Sequence, residues 1–391
     1  MLLLALRLLA SKVGCYLSFM SASILELFTE PSKQWVDSAF SGRVPGTQLL
    51  HGQEGGLLWG AALLYTKHLL CGEASGACDR CANCVQAENL THPDLRLSYP
   101  HLTAQSKKKD IGIDASTHGL FREFKKANKF PLMSAWQQHL SADKKSLLIP
   151  ASEAHALTLW LSTKPMMSSR KVIILWMPER LNHHAANQLL KTFEEPSAHV
   201  TIILISHDPE RVLGTILSRC QQVFIPPARQ LSQWLVDSQN ISHEQAALLE
   251  ELSMASPGLA LDYLSNREGL ARPVAAFVQL MRFAYKQDPV ALLAWSDSMA
   301  AWTREELAAF LRLSGGLLSQ LGRLKHGLSF RPVFEWFPDI SFKAKGFTKL
   351  LNTEGMLLMH QQLSDAQTDV RRNLNAKVVL YDMALGIMKA F

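Results

Sequence analysis

Four cysteines lie within fourteen residues of the chain, at Cys71, Cys78, Cys81 and Cys84. Four thiolates satisfy the tetrahedral coordination of Zn²⁺, and the glycine-containing loop at 72–76 can return Cys71 to the other three. A site with four cysteine ligands has no open position for water. The spacing therefore predicts a structural zinc ion.

Two other interpretations of these cysteines remain open. Cys78, Cys81 and Cys84 share the C-x₂-C-x₂-C spacing of bacterial ferredoxins, which favours an iron–sulfur cluster. The Cys-Pro pair expected as the fourth ligand of that motif is absent, because Val85 follows Cys84. Disulfides are the second alternative, and a cytosolic chain disfavours them.

A glycine-rich turn is the next feature that could carry chemistry. The run at 48–51 predicts a strand, the segment Gly52-Gln53-Glu54-Gly55-Gly56 predicts a turn, and the apolar residues at 57–70 predict a buried helix. Strand, glycine loop and helix together open an α/β unit, in which such a loop commonly holds phosphates.

The residues after this turn do not fit an ATP-binding loop. That loop needs G-x-x-x-x-G-K-[ST], because backbone N–H groups wrap the phosphates, the lysine neutralises charge and the hydroxyl holds Mg²⁺. Counting from Gly52 places three apolar residues at the last three positions, namely Leu57, Leu58 and Trp59. Counting from Gly55 is no better, because alanines fill the lysine and hydroxyl positions.

The acidic motif of an ATPase is also missing. Asp-Glu after an apolar strand would organise Mg²⁺ and the attacking water. Here Trp176 and Met177 follow the run 172–175, and the next acid is Glu179. With both motifs lost, no group remains to bind a metal–triphosphate, so the sequence predicts a degenerate ATPase that binds no ATP.

The elements that position these residues change in character along the chain. Strands at 172–176, 200–205 and 222–225 alternate with helices up to Pro227, which predicts a parallel α/β domain, whereas the later periodicity is helical. Among the helices we predict one at 152–161 capped by Ser152, one at 210–217, and a break between 362 and 366. The predicted domains are an N-terminal extension over 1–20, an α/β domain over 21–227 with a zinc-binding insertion at 71–84, a helical lid over 228–270 and a helical domain over 271–391.

One stretch of the chain resembles a known family. It comprises residues 188–196 (QLLKTFEEP), a strand, Asp208-Pro209, and Ser218-Arg219-Cys220. These motifs are similar to those of bacterial DNA polymerase III clamp-loader subunits of the AAA+ class, and the similarity covers about 43–227 well. Because both ATPase motifs are degenerate, the chain resembles the delta-prime type of subunit and not the gamma/tau type.

The resemblance implies a function and partners. It implies a non-hydrolysing subunit that helps load a sliding clamp on primed DNA, with gamma/tau-like ATPase and delta-like subunits as partners. It further implies an AAA+-type fold, a C-terminal collar that builds the hetero-oligomer, and a cytoplasmic location. The alternatives are an autonomous ATPase with an atypical site and a zinc-containing scaffold unrelated to replication.

Arg219 is the one candidate for a catalytic role. As an ordinary residue, it would neutralise the carbonyl end of the helix at 210–217, which contributes a few tenths to about 1 kcal/mol. The resemblance instead implies an arginine finger that reaches a neighbouring subunit's ATP, with Ser218 as its positioning partner. Lys191, Glu194 and Glu195 belong to the family signature, but the sequence alone assigns no task to them.

Other charged and metal-binding residue types carry weaker signals. The lysine-rich stretch 107–145 is more typical of a solvated helix face than of a DNA-binding site. The histidines are irregularly spaced and predict no metal site: His183, His184, His199 and His207. Cys220 is expected to be a small core residue, whereas Cys15 has no assignment.

Composition limits the class of protein. The 391 residues are long enough for two or three domains, and the 48% hydrophobic content excludes wholesale disorder. The net charge of +6 permits nucleic acid nearby but is unlike that of a charge-dominated DNA binder. No apolar run is long enough for a membrane helix. Residues 1–20 have an apolar start interrupted by Arg7, which favours an over-long gene start or an extra helix over a secretory signal.

Overall fold

The computed structural model describes residues 24–40, 44–73, 76–102, 112–142, 146–327, 333–372 and 374–391. The expectations for the extension 1–20, for Cys15 and for the lysines at 107–109 and 144–145 lie outside these residues. The chain divides into two compact units with their boundary between Gln230 and Leu231. The predicted C-terminal domain and all but the first three residues of the predicted lid fall in the second unit, so the boundary at 270 stays a prediction.

A five-stranded sheet forms the centre of the first unit. Its strands are β1 Thr47–Gly52, β2 Leu95–Ser98, β3 Lys171–Trp176, β4 Val200–Ser206 and β5 Gln221–Ile225. The order is β2-β3-β4-β1-β5, and every pair is parallel. All strands therefore end along one side, called here the carboxyl edge, where open α/β sheets bind their ligands. The opposite side is called the amino edge.

The central strands form because their residues are apolar and β-branched. Every residue of β3 and β4 is buried, as expected for parallel strands covered on both faces. Side chains of β1, β3 and β4 form one core with neighbouring helices, and Leu189 and Phe193 belong to it. The predicted parallel α/β domain is confirmed.

Helices flank this sheet. They are α1 Glu30–Asp37, α2 Leu58–Leu70, α3 Ala82–Glu88, α4 Ala115–Ala127, α5 Met133–His139, α6 Ala151–Leu161, α7 His183–Glu194 and α8 Gly214–Leu217. Asn182 caps α7 by accepting a hydrogen bond from the Ala185 N–H. The helix ends before Pro196, because a proline disfavours the helical conformation for the residue before it, and Glu195 is non-helical.

The described part of the second unit is helical, as predicted. Its helices are α9 Leu231–Gln239, α10 His243–Leu252, α11 Pro257–Ser265, α12 Ala271–Tyr285, α13 Pro289–Met299, α14 Arg304–Lys325, α15 Ala344–Phe347, α16 Thr353–Arg371 and α17 Ala376–Met388. Two of them begin with capping boxes, formed by Ser242 with Gln245 and by Thr303 with Glu306. A Cβ on Gly316 of α14 would stand 3.0 Å from the Leu252 carbonyl oxygen, so glycine allows α14 to approach α10 closely.

Three expectations about single elements are wrong, and one strand was missed. Strand β2 was not predicted, because Leu95–Ser98 is short and contains Arg96. Helix α6 begins at Ala151 after Pro150, so Ser152 does not cap it. The helix predicted at 210–217 is a 3₁₀ turn at Pro209–Arg211 followed by the short α8. Helix α16 continues to Arg371, where we predicted a break between 362 and 366.

Among the residues that the structure describes, none of the helices combines the length and the apolar character that crossing a bilayer requires.

Candidate metal centre and glycine turn

The four cysteines are brought together at the junction of α2 and α3. Cys71 directly follows α2, Cys81 is the N-cap of α3, and Cys84 lies in the first turn of α3. Cys78 lies in the connecting loop. All four sulfur atoms lie within 4.8 Å of one another, and no other group of three or more potential ligands occurs in the described part of the chain.

The distances between the sulfur atoms fit one tetrahedral ion. The Cys71 and Cys81 Sγ atoms are 3.8 Å apart, and the Cys78 and Cys84 Sγ atoms are 4.0 Å apart. A Zn–S distance of about 2.3 Å gives tetrahedron edges of about 3.8 Å. None of these four cysteines forms a disulfide. The thiolates of a four-iron cluster bind different iron atoms, which requires a wider spacing than ligands around one ion.

Backbone N–H groups stabilise negative charge on the sulfur atoms. The Cys81 N–H donates to Cys78 Sγ and the Cys84 N–H donates to Cys81 Sγ, each at 3.4 Å. Burial by itself would raise the pKa of the Cys78 thiol, but hydrogen bonds from the Arg80 and Cys81 N–H groups lower this pKa to about 6. Burial raises the pKa of the Cys71 and Cys84 thiols, so these hydrogen bonds favour the thiolate at Cys78 and not across the whole set.

Two consecutive residues of α2 hold the loop on both sides of Cys78. Lys67 makes ion pairs with Asp79 and, at 2.9 Å, with Glu88. His68 Nδ1 accepts a hydrogen bond from the Ala77 N–H at 3.2 Å. Asp79 has a φ of 56°, a left-handed conformation that costs a non-glycine residue energy. The Lys67 ion pair holds the side chain of this residue in place.

We expect Lys67→Met to lower the free energy of unfolding by about 3–5 kcal/mol. The reason is that the Asp79 side chain is only 3% exposed and would lose its buried cationic partner. Lys33→Met is the matched control, because Lys33 pairs with Glu30 at 3.2 Å on the exposed surface. Urea denaturation of both variants measures the difference. Equal free energies of unfolding for the two variants would show that the buried ion pair contributes nothing to the stability of the fold.

The glycine turn has the position of a phosphate-binding loop but not its chemistry. Gly52 ends β1, Gly55 has a φ of 66°, and α2 begins at Leu58. Leu58 and Trp59 are buried in the core at the positions of the lysine and the hydroxyl residue. The Glu54 carboxylate adds negative charge to the turn and accepts the Met133 N–H at 2.9 Å.

Aromatic rings fill the place where an ATPase organises Mg²⁺. Trp176 is fully buried at the end of β3, and its ring centroid is 6.1 Å from that of Trp59. The Phe121 ring lies 5.9 Å from Trp59 and 6.0 Å from Trp176. These three rings are apolar and offer no ligand to a metal ion.

The polar groups at the carboxyl edge are engaged with each other. Glu179 Oε2 accepts the Ser206 hydroxyl at 2.9 Å, and Glu179 Oε1 accepts the His207 N–H at 3.3 Å. Trp176 Nε1 donates to His207 Nε2 at 2.9 Å. Burial raises the pKa of Glu179 to about 7. This edge therefore has its own internal hydrogen-bond network.

Arg219 lies at the opposite edge of the sheet. It precedes β5 by two residues, and the register pairs Gln221 with Gln48 and Ile225 with Gly52. With a rise of about 3.3 Å per residue, the start of β5 is roughly 13 Å from the glycine turn of the same chain. Arg219 is therefore remote from the glycine turn of its own chain.

Two groups hold the Arg219 guanidinium. Nε donates to Glu194 Oε2 at 2.7 Å, and Nη1 donates to the Thr215 carbonyl oxygen at 3.0 Å. Ser218 Oγ lies 3.5 Å from Nη1. The Arg219 side chain is 30% exposed. Arg219 therefore makes the contact with the end of α8 that was predicted for an ordinary arginine. Its side chain also has the solvent exposure that an arginine finger needs.

Sequence reasoning missed the partner of Arg219. Glu194 is the last residue of α7 and lies 25 positions away in sequence, so no local pattern links the two. The only available signal was the presence of both residues in motifs of one family.

The two remaining candidates, Cys220 and Lys125, make contacts that stabilise the fold. Cys220 packs against the main core, and burial raises its pKa to about 12. In the lysine-rich stretch, Lys125 lies 4.7 Å from the Trp59 ring centroid and donates to the Asn128 and Lys129 carbonyl oxygens. Burial lowers the pKa of Lys125 to about 7. The Lys125 ammonium group therefore makes its contacts within the first unit.

Comparison with known proteins gives a family match over the first unit. The family model described as DNA polymerase III, delta subunit, matches residues 29–229. This region contains the cysteine set, the glycine turn and Arg219.

Individual relatives extend the similarity. A DNA polymerase III subunit delta' of Pseudomonas aeruginosa is 27% identical over 337 residues, which cover 83% of this chain and 86% of that protein. The subunit delta' of Escherichia coli is 27% identical over 274 residues, which cover 68% of this chain and 67% of that protein. A subunit tau of Salmonella typhimurium is 37% identical over 106 residues, which cover 26% of this chain and 16% of that protein.

Proposed function

This chain belongs to the DNA polymerase III, delta subunit family, and we propose that it is a clamp-loader subunit of the delta-prime type that does not itself hydrolyse ATP. Membership confirms the resemblance predicted from the motifs at 188–196 and at Ser218-Arg219-Cys220, and with it the AAA+-type fold. The proposed partners are gamma/tau-like ATPase subunits and a delta-like subunit. The sliding clamp and primed DNA would be reached through the complex.

The observation that carries the absence of hydrolysis is the replacement of nucleotide-binding groups by core side chains. Leu58 and Trp59 are buried, so they cannot turn toward a phosphate without breaking the core. Trp176 occupies the position of the metal-organising acid and packs against Trp59. Glu54 would add repulsion to a triphosphate at the turn.

We expect the isolated protein to show no ATP binding in calorimetric titration with Mg-ATP. The physical reason is the absence of both the lysine that neutralises phosphate charge and the acids that organise Mg²⁺. A gamma/tau-like subunit titrated under the same conditions is the positive control. A micromolar dissociation constant for this chain would instead support the alternative of an autonomous ATPase.

For Arg219 we propose the role of an arginine finger directed at the ATP of an adjacent subunit. Its position at the amino edge supports action in trans, because its own glycine turn lies at the carboxyl edge. A guanidinium next to the transferring phosphoryl group would stabilise charge that develops during hydrolysis. Ser218 would help to position it.

For the cysteine set we propose one structural zinc ion. The sulfur spacing and the N–H groups directed at Cys78 and Cys81 support a single thiolate-bound ion. When bound, zinc supplies a cross-link between the end of α2 and the start of α3. Lys67 and His68 orient the loop that carries Cys78.

Purification of the protein from its native cells tests the assembly. We expect gamma/tau-like and delta-like subunits to co-purify with it at constant ratios through gel filtration. The helical domain over 271–391 is the proposed collar through which they associate. Recovery of the chain without clamp-loader subunits would favour the alternative of a zinc-containing scaffold unrelated to replication.

A further inference from the structure

We propose that Glu194 is a positioning residue that holds Arg219 ready for a neighbouring subunit's ATP, an inference that rests on the proposed role of Arg219. The observation is the hydrogen bond from Arg219 Nε to Glu194 Oε2 at 2.7 Å. This contact gives a task to one member of the QLLKTFEEP signature that sequence reasoning left without any.

Arg219 needs such a support because the elements next to it in the chain restrain its side chain little. The residue follows α8, a helix of only four residues, and its side chain is 30% exposed. An unrestrained arginine has several rotamers, and fixing them costs up to about 2 kcal/mol. Glu194 stands at the end of α7, a helix of 12 residues whose Leu189 and Phe193 are part of the main core. Glu194 is therefore held in place by a long helix that is anchored in the core.

The support leaves part of the guanidinium available. The Nε and Nη1 atoms donate to Glu194 and Thr215, whereas Nη2 makes no hydrogen bond to any residue that the structure describes. Nη1 also lies 3.5 Å from Ser218 Oγ, so Nη2 is the nitrogen that remains able to donate to phosphate oxygens. Glu194 thus restrains the finger from one side and does not occupy the donors that a phosphate would use.

The test uses the reconstituted clamp loader with clamp and primed DNA. Glu194→Gln keeps the size of the side chain but removes the charge that orients the guanidinium. We expect a roughly three- to tenfold lower rate of ATP hydrolysis at the site that Arg219 faces, because part of the ordering of Arg219 is lost. The KM for ATP and the melting temperature of the subunit should stay unchanged.

Glu195→Gln is the matched control. It removes the same charge one residue further on, and Glu195 makes no ion pair with Arg219 among the described residues. We expect wild-type hydrolysis. The double variant Glu194→Gln/Arg219→Ala should hydrolyse ATP as slowly as Arg219→Ala alone, because Glu194 acts only through Arg219.

The possible results distinguish a failure of the role inferred for Glu194 from a failure of the role proposed for Arg219. If Arg219→Ala slows hydrolysis but Glu194→Gln leaves it unchanged or speeds it up, the positioning role is wrong and the finger stands. If the rate losses of the two single variants add up in the double variant, Glu194 acts independently of Arg219, and the inference is wrong as well. If Arg219→Ala itself has no effect, the proposed finger fails and the inference fails with it.

Discussion

Arg219→Ala is expected to slow ATP hydrolysis at the one site that Arg219 faces by a factor on the order of 10³, while leaving the subunit folded and assembled. The finger acts where charge develops during phosphoryl transfer, so its loss lowers turnover more than nucleotide affinity. Single-turnover quench-flow measurements on the reconstituted complex should show one slow site beside fast ones.

Two further variants control this experiment. Arg219→Lys should rescue poorly, because a point charge cannot replace the planar fork of the guanidinium. Arg272→Ala removes another exposed arginine that pairs with a glutamate, Glu306 at 3.3 Å, and should leave hydrolysis unchanged. A lowered melting temperature of the Arg219→Ala subunit with unchanged turnover would mean that Arg219 only stabilises the end of α8.

Cys81→Ser is expected to release the metal and to loosen the junction of α2 and α3. The purified wild-type chain should carry about one zinc ion, and the variant close to none after dialysis. The effect is large because Cys81 contributes one of four ligands and also accepts the Cys84 N–H as the cap of α3. Elemental analysis measures the metal, and a melting curve measures the lost stability.

Cys220→Ser is the control for this variant. Cys220 lies outside the set of four, so its replacement should leave the zinc content at wild-type level. Iron in the wild-type protein would overturn the zinc assignment in favour of a cluster. Absence of any metal from freshly purified protein would contradict a metal site altogether.

Features written in adjacent residues were predictable from the sequence. The runs that became β3 and β4 consist of apolar residues, and such runs are stable mainly in a buried parallel sheet. The four cysteines are close in sequence, so a short loop suffices to join them. The loss of both ATPase motifs is visible because each motif needs defined residue types at a fixed spacing.

Elements decided by weak or distant signals were predicted poorly. Strand β2 has four residues, and its pairing with β3 outweighs the polar residues it contains. The continuation of α16 to Arg371 follows from its packing against α14 and α17. The segment 362–366 contains neither glycine nor proline, whereas Asn375 caps the next helix through the Lys377 and Val378 N–H groups.

The chain by itself determined which chemistry is present and which is lost: four thiolates, an arginine before β5, and no lysine or acid for a nucleotide. Only the tertiary structure decided which side chains meet. The contacts of Arg219 with Glu194 and of Trp59 with Trp176 join residues from different elements of the sheet and its helices. Such contacts depend on how the strands are ordered and how the helices cross over between them. That order is set by the packing of the whole core, and no local spacing encodes it.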